Sequence, residues 1–358
     1  MENLTSFLLW ILSIIMDSQD TEYYDYHLPS DRIATKPKSN RADSKMMYVT
    51  KTNVQHTNFN QLDQILEAGD VLILNNTRVI PARIILEKES GGRVEILYSS
   101  DINERCFEAI FKSSRRPAIG IILNFKKKFF FKVDNIMNNK IFLQNLSDKS
   151  IHEILETHGE MPLPNYIKRP ANVEDKKTYQ TVYAQVNGSV AAPTAGLHFT
   201  KDLIKKLISK GIDIDYCTLN ISYNTFRPIK TNRINDHNIG SEKFKISKSV
   251  IDKIIEAKKL NKRVIAVGTT VTRVLEYCFT KKIQNDYEGE VDLYITPGYN
   301  FKAINCLITN YHLPKSTLLL LVSSFIDFNY LMTLYKSAIE NDYKFYSYGD
   351  SMFIDKML

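Results

Sequence analysis

The sequence predicts an α/β-layered fold, α/β or α+β in class, interrupted by a small all-β module. Three observations lead there. The apolar runs VLIL (Val71–Leu74), RVIAV (Arg263–Val267) and CLIT (Cys306–Thr309) each end in a polar loop, and the last two lead on into helix-period segments, which is the texture of strand–loop–helix units. Between Val79 and Leu155 the chain instead strings together ARIIL, RVEILY, CFEAIF, IGIILNF, FFFKV and KIFLQNL, broken by ESGG, SSRRP and NIMNN. Short strands in such quick succession read as an antiparallel barrel or sandwich. A length of 358 residues, 44% hydrophobic and 24% charged, suits about two domains with a substantial core.

Taken in order, the chain opens on LTSFLLWILSIIM (Leu4–Met16), apolar but too short to span a bilayer as a helix. Glu2 precedes it, no Lys or Arg does, and no small-residue cleavage site follows. The reading adopted is translation from Met16, with residues 1–15 a mis-called start or a disordered extension. Leu62, Ile65 and Leu66 give Asn60–Ala68 helical spacing, and Gly69 is a natural stop. Asn75–Arg78 (NNTR) follows the VLIL strand as a polar loop. After Leu155, Thr200 caps a helix whose apolar face is Leu203, Ile204, Leu207 and Ile208, ended by Gly211. Val250–Leu260 is a second helix. The RVIAV strand runs through Gly268-Thr269-Thr270 into the helix VTRVLEY, and CLIT through NYHLPK into a helix opened by Ser316. Asn329–Glu340 is a further helix, and KFYSYGD (Lys344–Asp350) reads as a last strand and turn.

The net charge of +7 comes from 47 basic and 40 acidic residues, a mild excess that permits a polyanionic partner without requiring one. Residues 79–155 hold 13 Lys+Arg against 9 Asp+Glu, so +4 of the +7 lies there, clustered at Ser114–Arg116 and Lys126–Lys128. Either cluster alone reads as a solvated hairpin tip; together they allow contact with a phosphate backbone. Cys106, Cys217, Cys278 and Cys306 stand far apart, which excludes a zinc finger or disulfide framework and fits a reducing compartment. No Walker, dinucleotide-binding or serine-elbow motif is present, and no histidines are paired at metal spacing. What remains are loops built to accept anions. Gly268-Thr269-Thr270 presents free amides and a helix dipole, with Arg273 one turn on. Asn310, His312 and Lys315 repeat that architecture after CLIT. In GSVAAPTAGLHFT (Gly188–Thr200), small residues leave the backbone open to approach. For each of these the structural reading, a cap or a packing histidine, stands beside the functional one.

These segments, with LNNTRVIPAR, GEMPLPNYIKR, YQTVYA, LITNYHLPKSTLLLLVS and FYSYGDSMFI, resemble in order, from about Tyr24 to Ile354, the S-adenosylmethionine:tRNA ribosyltransferase-isomerases of queuosine biosynthesis. The resemblance implies an α+β architecture. An α/β-layered main domain (16–78 and 156–358) carries a small antiparallel β-barrel domain inserted at 79–155. It implies a cytoplasmic, monomeric, metal-free transferase without a cofactor or membrane attachment. The substrates would be S-adenosylmethionine, consumed as co-substrate, and tRNA carrying the 7-deazaguanine preQ1 in its anticodon. Ribosyl transfer and isomerisation would give epoxyqueuosine, adenine and methionine. Such chemistry needs a proton acceptor, a donor for the leaving adenine and dipoles for developing charge.

On the matching motifs, the candidates for proton transfer are His198 and His312, with Asp236 and Glu242 as carboxylate bases. Candidates for substrate binding are Arg78, Thr194, Gly196, Arg227, Gly268, Thr269, Thr270, Arg273, Asn310 and Lys315. The chain also departs from the family pattern. Asn76 stands for an aspartate, Asn220 for a histidine, Ser222 and Asn224 for glycines, and Gly240 for a histidine. Losing an acid, two titratable rings and two permissive glycines makes a degenerate, weakly active or inactive copy that keeps the fold, and with it tRNA binding, the alternative to an active enzyme.

Overall fold

The computed structural model describes residues 17–164, 166–222 and 228–357. Residues 1–15, Asn224 and Arg227 therefore lie outside the described residues. The chain forms two compact units. The first holds the residues up to Asn76, Pro193–Leu219 and those from Pro228 onward, and the second holds Thr77–Ala192 with the segment that begins at Asn220. The second unit thus reaches past Leu155, so 156–192 groups with the β-rich module.

Strands of the first unit are β1 (Lys45–Val49), β2 (Val54–Asn58) and β3 (Val71–Asn75); those of the second are β4 (Thr77–Val79), β5 (Arg83–Lys88), β6 (Arg93–Asp101), β7 (Cys106–Ser113), β8 (Ile122–Phe125), β9 (Phe129–Met137), β10 (Lys140–Asn145) and β11 (Val186–Ser189). The first unit resumes with β12 (Asp213–Leu219), β13 (Glu242–Ile246), β14 (Val264–Val267), β15 (Tyr287–Val291), β16 (Cys306–Asn310) and β17 (Ser351–Asp355). Helices are α1 (Leu62–Ile65), α2 (Ile151–His158), α3 (Asp175–Thr178), α4 (Lys201–Ser209), α5 (Lys248–Lys259), α6 (Thr269–Lys281), α7 (Thr317–Phe325) and α8 (Phe328–Glu340).

Among the described residues of the first unit, nine strands form one sheet in the order β15-β13-β12-β3-β14-β16-β17-β1-β2. β12, β3, β14 and β16 run parallel, while β17 turns back against β16. Every residue of VLILN, VIAV, CLITN and SMFID is buried, as expected of strands covered on both faces. Towards the edges the burial alternates, as in β13 (EKFKI). Three expectations are corrected. The helix expected over Asn60–Ala68 stops at Ile65, because Leu66 is extended and the Glu67 amide donates to Asp70 Oδ2. NNTR is not all loop: Asn75 ends β3, and Thr77–Val79 is a strand paired with β11. KFYSYGD holds a turn and a single β-bridge from Phe345 to Ile33 rather than a strand, and the last strand follows it at Ser351.

The second unit centres on a closed barrel, β10-β7-β6-β5-β8-β9. The alternation in β9 sends Phe129, Phe131 and Val133 inward, where Phe131 meets Phe107 edge-on. One barrel end is closed by Ile151, Ile154 and Leu155 of α2, whose start is fixed by the reciprocal capping box of Ser150 and Glu153. Strand registers place Lys126–Lys128 at the end where the chain enters and leaves the barrel, and Ser114–Arg116 at the opposite end. The two basic clusters are therefore not one patch. Among the described residues, no single helix is long and apolar enough to cross a membrane.

At the end of the first unit's sheet where β3 and β14 begin and β17 finishes, Arg263 is buried between two carboxylates. Its guanidinium reaches Asp70 at 2.5–3.1 Å and Asp355 at 2.9 Å, and also donates to the Ile65 carbonyl. Arg263→Met should leave both carboxylates buried and unpaired, lowering the unfolding free energy by about 3–5 kcal/mol. A denaturant midpoint equal to that of the wild type would contradict the assignment.

Candidate active site

Where parallel strands end, their last residues and the loops that follow form a common edge, the usual place for ligand groups in layered α/β sheets. Here that edge is made by Asn75, Leu219, Gly268 and Asn310, joined by Ser351 at the start of β17. β3 lies between β12 and β14, so the chain winds away from it in both directions. Asn75 uses its side chain as a substitute for backbone, donating to the Leu219 carbonyl at 3.0 Å and accepting from the Leu219 amide at 3.0 Å. Its Nδ2 also lies 3.5 Å from Thr270 Oγ1. In this way it ties the ends of β3 and β12 to the beginning of α6.

α6 starts at Thr269 directly after β14. Gly268 turns between them with φ +92°, a conformation that disfavours any side chain. Among the described residues no side chain caps α6, leaving its first amides and the positive end of the dipole at the edge. A Cβ on Gly268 would come to 3.5 Å of the Ala195 Cβ, so the small residues of GSVAAPTAGLHFT let Thr194–His198, a single 3₁₀ turn, fold in beside it.

That turn delivers His198, 4% exposed, into a hydrogen-bond chain with a carbonyl at each end. Asn310 Nδ2 donates to the Asp350 carbonyl (3.3 Å) and meets His198 Nε2 (3.2 Å); His198 Nδ1 meets Ser44 Oγ (2.7 Å), and Ser44 Oγ donates to the Arg41 carbonyl (3.1 Å). Carbonyls only accept. The Ser44 hydroxyl proton therefore points to Arg41, leaving its oxygen to accept from His198 Nδ1–H, and Nε2 must accept from Asn310. The ring is neutral with a single tautomer. Burial pushes its pKa down to about 4 in agreement. His312, at the loop after β16, is likewise pushed down to about 3 by burial, with Nε2 2.8 Å from Thr309 Oγ1 and its amide donating to Tyr335.

The remaining candidates sort differently. Gly196 is buried and Thr194 partly exposed beside His198. Thr269 and Thr270 are buried at the start of α6. Arg273 is buried and committed: it pairs with Glu242 and donates to the Leu293 and Val291 carbonyls. Glu242 is accordingly the buried partner of an arginine. Asp236 is exposed on a short turn, Ile234–Asp236, and joins none of these contacts. Lys315 binds Glu22 (3.1 Å) and Asp25 (3.0 Å), which raise its pKa and tie the Thr21–Asp25 segment to the loop after β16. Arg78 is exposed on β4 in the other unit. Residues that motif reading passed over are Ser44, Asn75, Asp350 and Glu276. Asp350 accepts from Lys38, Lys45 N and Lys344 N; Glu276 accepts three successive amides, Lys302 to Ile304. The quoted motifs contained all of these but Ser44; only their polar type in an apolar setting could have marked them.

Three of the substituted positions, Asn76, Asn220 and Gly240, fit their surroundings. Asn76 Oδ1 accepts the Thr218 hydroxyl at 2.6 Å, which a carboxylate oxygen would do equally. Asn220 Oδ1 accepts from Thr77 at 2.9 Å, and its amide lies where a Cβ on Gly188 would collide. Gly240 has φ +74° and open space around it.

A protein-family model described as queuosine biosynthesis protein matches residues 21–354. The S-adenosylmethionine:tRNA ribosyltransferase-isomerase of Halothermothrix orenii is 46% identical over 93% of the chain and 99% of its own length; that of Vesicomyosocius okutanii is 44% identical over 93% and 97%. The crystal structure of an S-adenosylmethionine tRNA ribosyltransferase from Thermotoga maritima superposes with a TM-score of 0.54 at 28% identity, covering 94% of this chain and all of that one.

His198 and His312 titrate near 6.5 when unfolded but stay neutral to about 4 and 3 in the fold. As pH falls, the unfolded chain takes up protons first. Stability should be flat above neutrality and drop through the 6.5-to-4 window by up to about 1.4 kcal/mol per pH unit for each ring. His312→Asn should reduce that slope in denaturant titrations; an unaltered slope would refute the assignment.

Proposed function

The chain belongs to the queuosine biosynthesis protein family, and on that premise we propose that it acts as an S-adenosylmethionine:tRNA ribosyltransferase-isomerase on preQ1 in the tRNA anticodon, yielding epoxyqueuosine with release of adenine and methionine. The observation that carries the reading is the match at 46% identity over 93% of the chain and 99% of the relative's own length. It is supported by the convergence of the motif segments LNN, PTAGLH, VGTT, ITNYH and SYGD on one sheet edge of the first unit or in the turns beside it.

The chemistry begins with the sulfonium, which acidifies the adjacent C5′ hydrogens. Removal of one gives an ylide, expulsion of adenine with a proton opens the ribose ring, the aminomethyl nitrogen attacks C1′, and the epoxide closes as the C5′–sulfur bond breaks and methionine departs. The protein's part is positioning and dipoles. The uncapped amides of Thr269 and Thr270 offer a seat for a carboxylate or ribose oxygens. Two imidazoles held neutral far below physiological pH suit orientation better than proton shuttling, so His198 and His312 serve this reading as hydrogen-bonding groups. S-adenosylmethionine is consumed as substrate, with no further cofactor, and the protein works in the cytoplasm as a monomer.

No observation favours a degenerate copy, since Asn76 and Asn220 make well-formed bonds. Purified protein incubated with S-adenosylmethionine and preQ1-containing tRNA should release adenine in step with epoxyqueuosine detected by mass spectrometry of the tRNA. Absence of adenine above background, with tRNA binding intact, would refute the activity.

A further inference from the structure

One acceptor is left over in the carbonyl-anchored chain. Asn310 Oδ1 is buried and, among the described residues, has no hydrogen-bond partner. Asn310 itself is only 3% exposed. A buried amide oxygen without a donor is costly, and folded proteins keep few of them. Its direction is not free either. The amide nitrogen is committed to the Asp350 carbonyl and to His198 Nε2. Turning the amide over would set oxygen against the Asp350 carbonyl, two acceptors face to face. The chain of Ser44 and His198 thus fixes which end of Asn310 remains available, at the carboxyl end of β16 and beside the β14–α6 turn.

Resting on the function proposed above, we propose that Asn310 Oδ1 accepts an N–H from the exocyclic amine of the purine ring of the nucleoside substrate. Ser44 and His198 are then positioning residues that keep this oxygen turned to the ligand. A neutral donor is favoured by the surroundings. The imidazole next to Asn310 is neutral. The Asp350 carboxylate is already occupied by Lys38 and by the amides of Lys45 and Lys344. An ammonium at this point would give up its hydration for one neutral oxygen, whereas an aromatic amine brings an N–H without a charge. The assignment also makes a selectivity claim. A site built around a required N–H rejects an analogue that lacks it far more strongly than an apolar pocket would.

The test measures binding of S-adenosylhomocysteine and S-inosylhomocysteine, in which a ring carbonyl replaces the amine, to the full-length protein by titration calorimetry. The wild type should prefer the adenosyl compound by about tenfold or more, an acceptor facing an acceptor in the other. Asn310→Leu should lose most of that preference. Ser44→Ala, which frees the His198 tautomer, should reduce it, and Ser44→Thr should restore it. Melting curves establish that each variant is folded. Equal binding of the two nucleosides by the wild type, or an undiminished preference in Asn310→Leu, overturns the assignment alone. Should Asn310→Leu not fold, an undiminished preference in Ser44→Ala overturns it instead. Binding of neither nucleoside by the wild type overturns it together with the function on which it rests.

Discussion

The buried guanidinium of Arg263 sets the geometry of the first unit. It holds Asp70, at the start of β3, and Asp355, at the end of β17, while its own chain enters β14. Three strands are thereby aligned at one edge of the sheet. Counting along them gives the other edge, for Asp70 to Asn75, Arg263 to Gly268 and Asp355 back to Asp350 span the same number of residues. A slip of one residue in any of these would turn a strand's whole set of side chains to the opposite face. It would also carry Asn75, Gly268 or Asp350 out of line. Charge buried at one edge in effect decides which polar atoms surface at the other.

At that second edge, polarity is handled by strict pairing. Asn75 completes the backbone bonding of Leu219, and Asp350 holds three donors. Such networks rigidify a site only when all members are satisfied. Against that background, the first amides of α6 and the oxygen of Asn310, unpaired among the described residues, stand out as capacity held in reserve.

Much of this was legible in the sequence, and the reason is physical. Fully apolar strands followed by glycine or asparagine announce the middle of a covered sheet, and β3, β14 and β16 are where those runs lie. The strand-rich stretch announced the barrel equally well, because alternating burial imposes a period of two. What could not be read was partnership. Arg273 and Lys315 look alike as cations just past a strand end, yet one is locked to Glu242 in the core and the other to Glu22 and Asp25 near the chain's start. Ser44 is a plain serine until the fold sets it beside His198, a residue 154 positions away. The premature end of α1 depended on the Asp70 carboxylate taking the Glu67 amide, a competition that apolar spacing does not register.

The interruption between Asn76 and Pro193 has a bearing on how the chain acquires this structure. Asn76 and its partner Thr218 are 142 residues apart, and β3 pairs with β12 across the same interval. Barrel strands follow one another closely, so their hairpins can close early, whereas the central parallel pairing must wait for a long loop. That wait is tolerable, since the entropy of closing a loop grows only with the logarithm of its length, and prior collapse of the barrel shortens the effective span. During synthesis the inserted module emerges before β12, β14 and β16 exist, leaving the wholly apolar β3 as the segment most in need of protection from premature association.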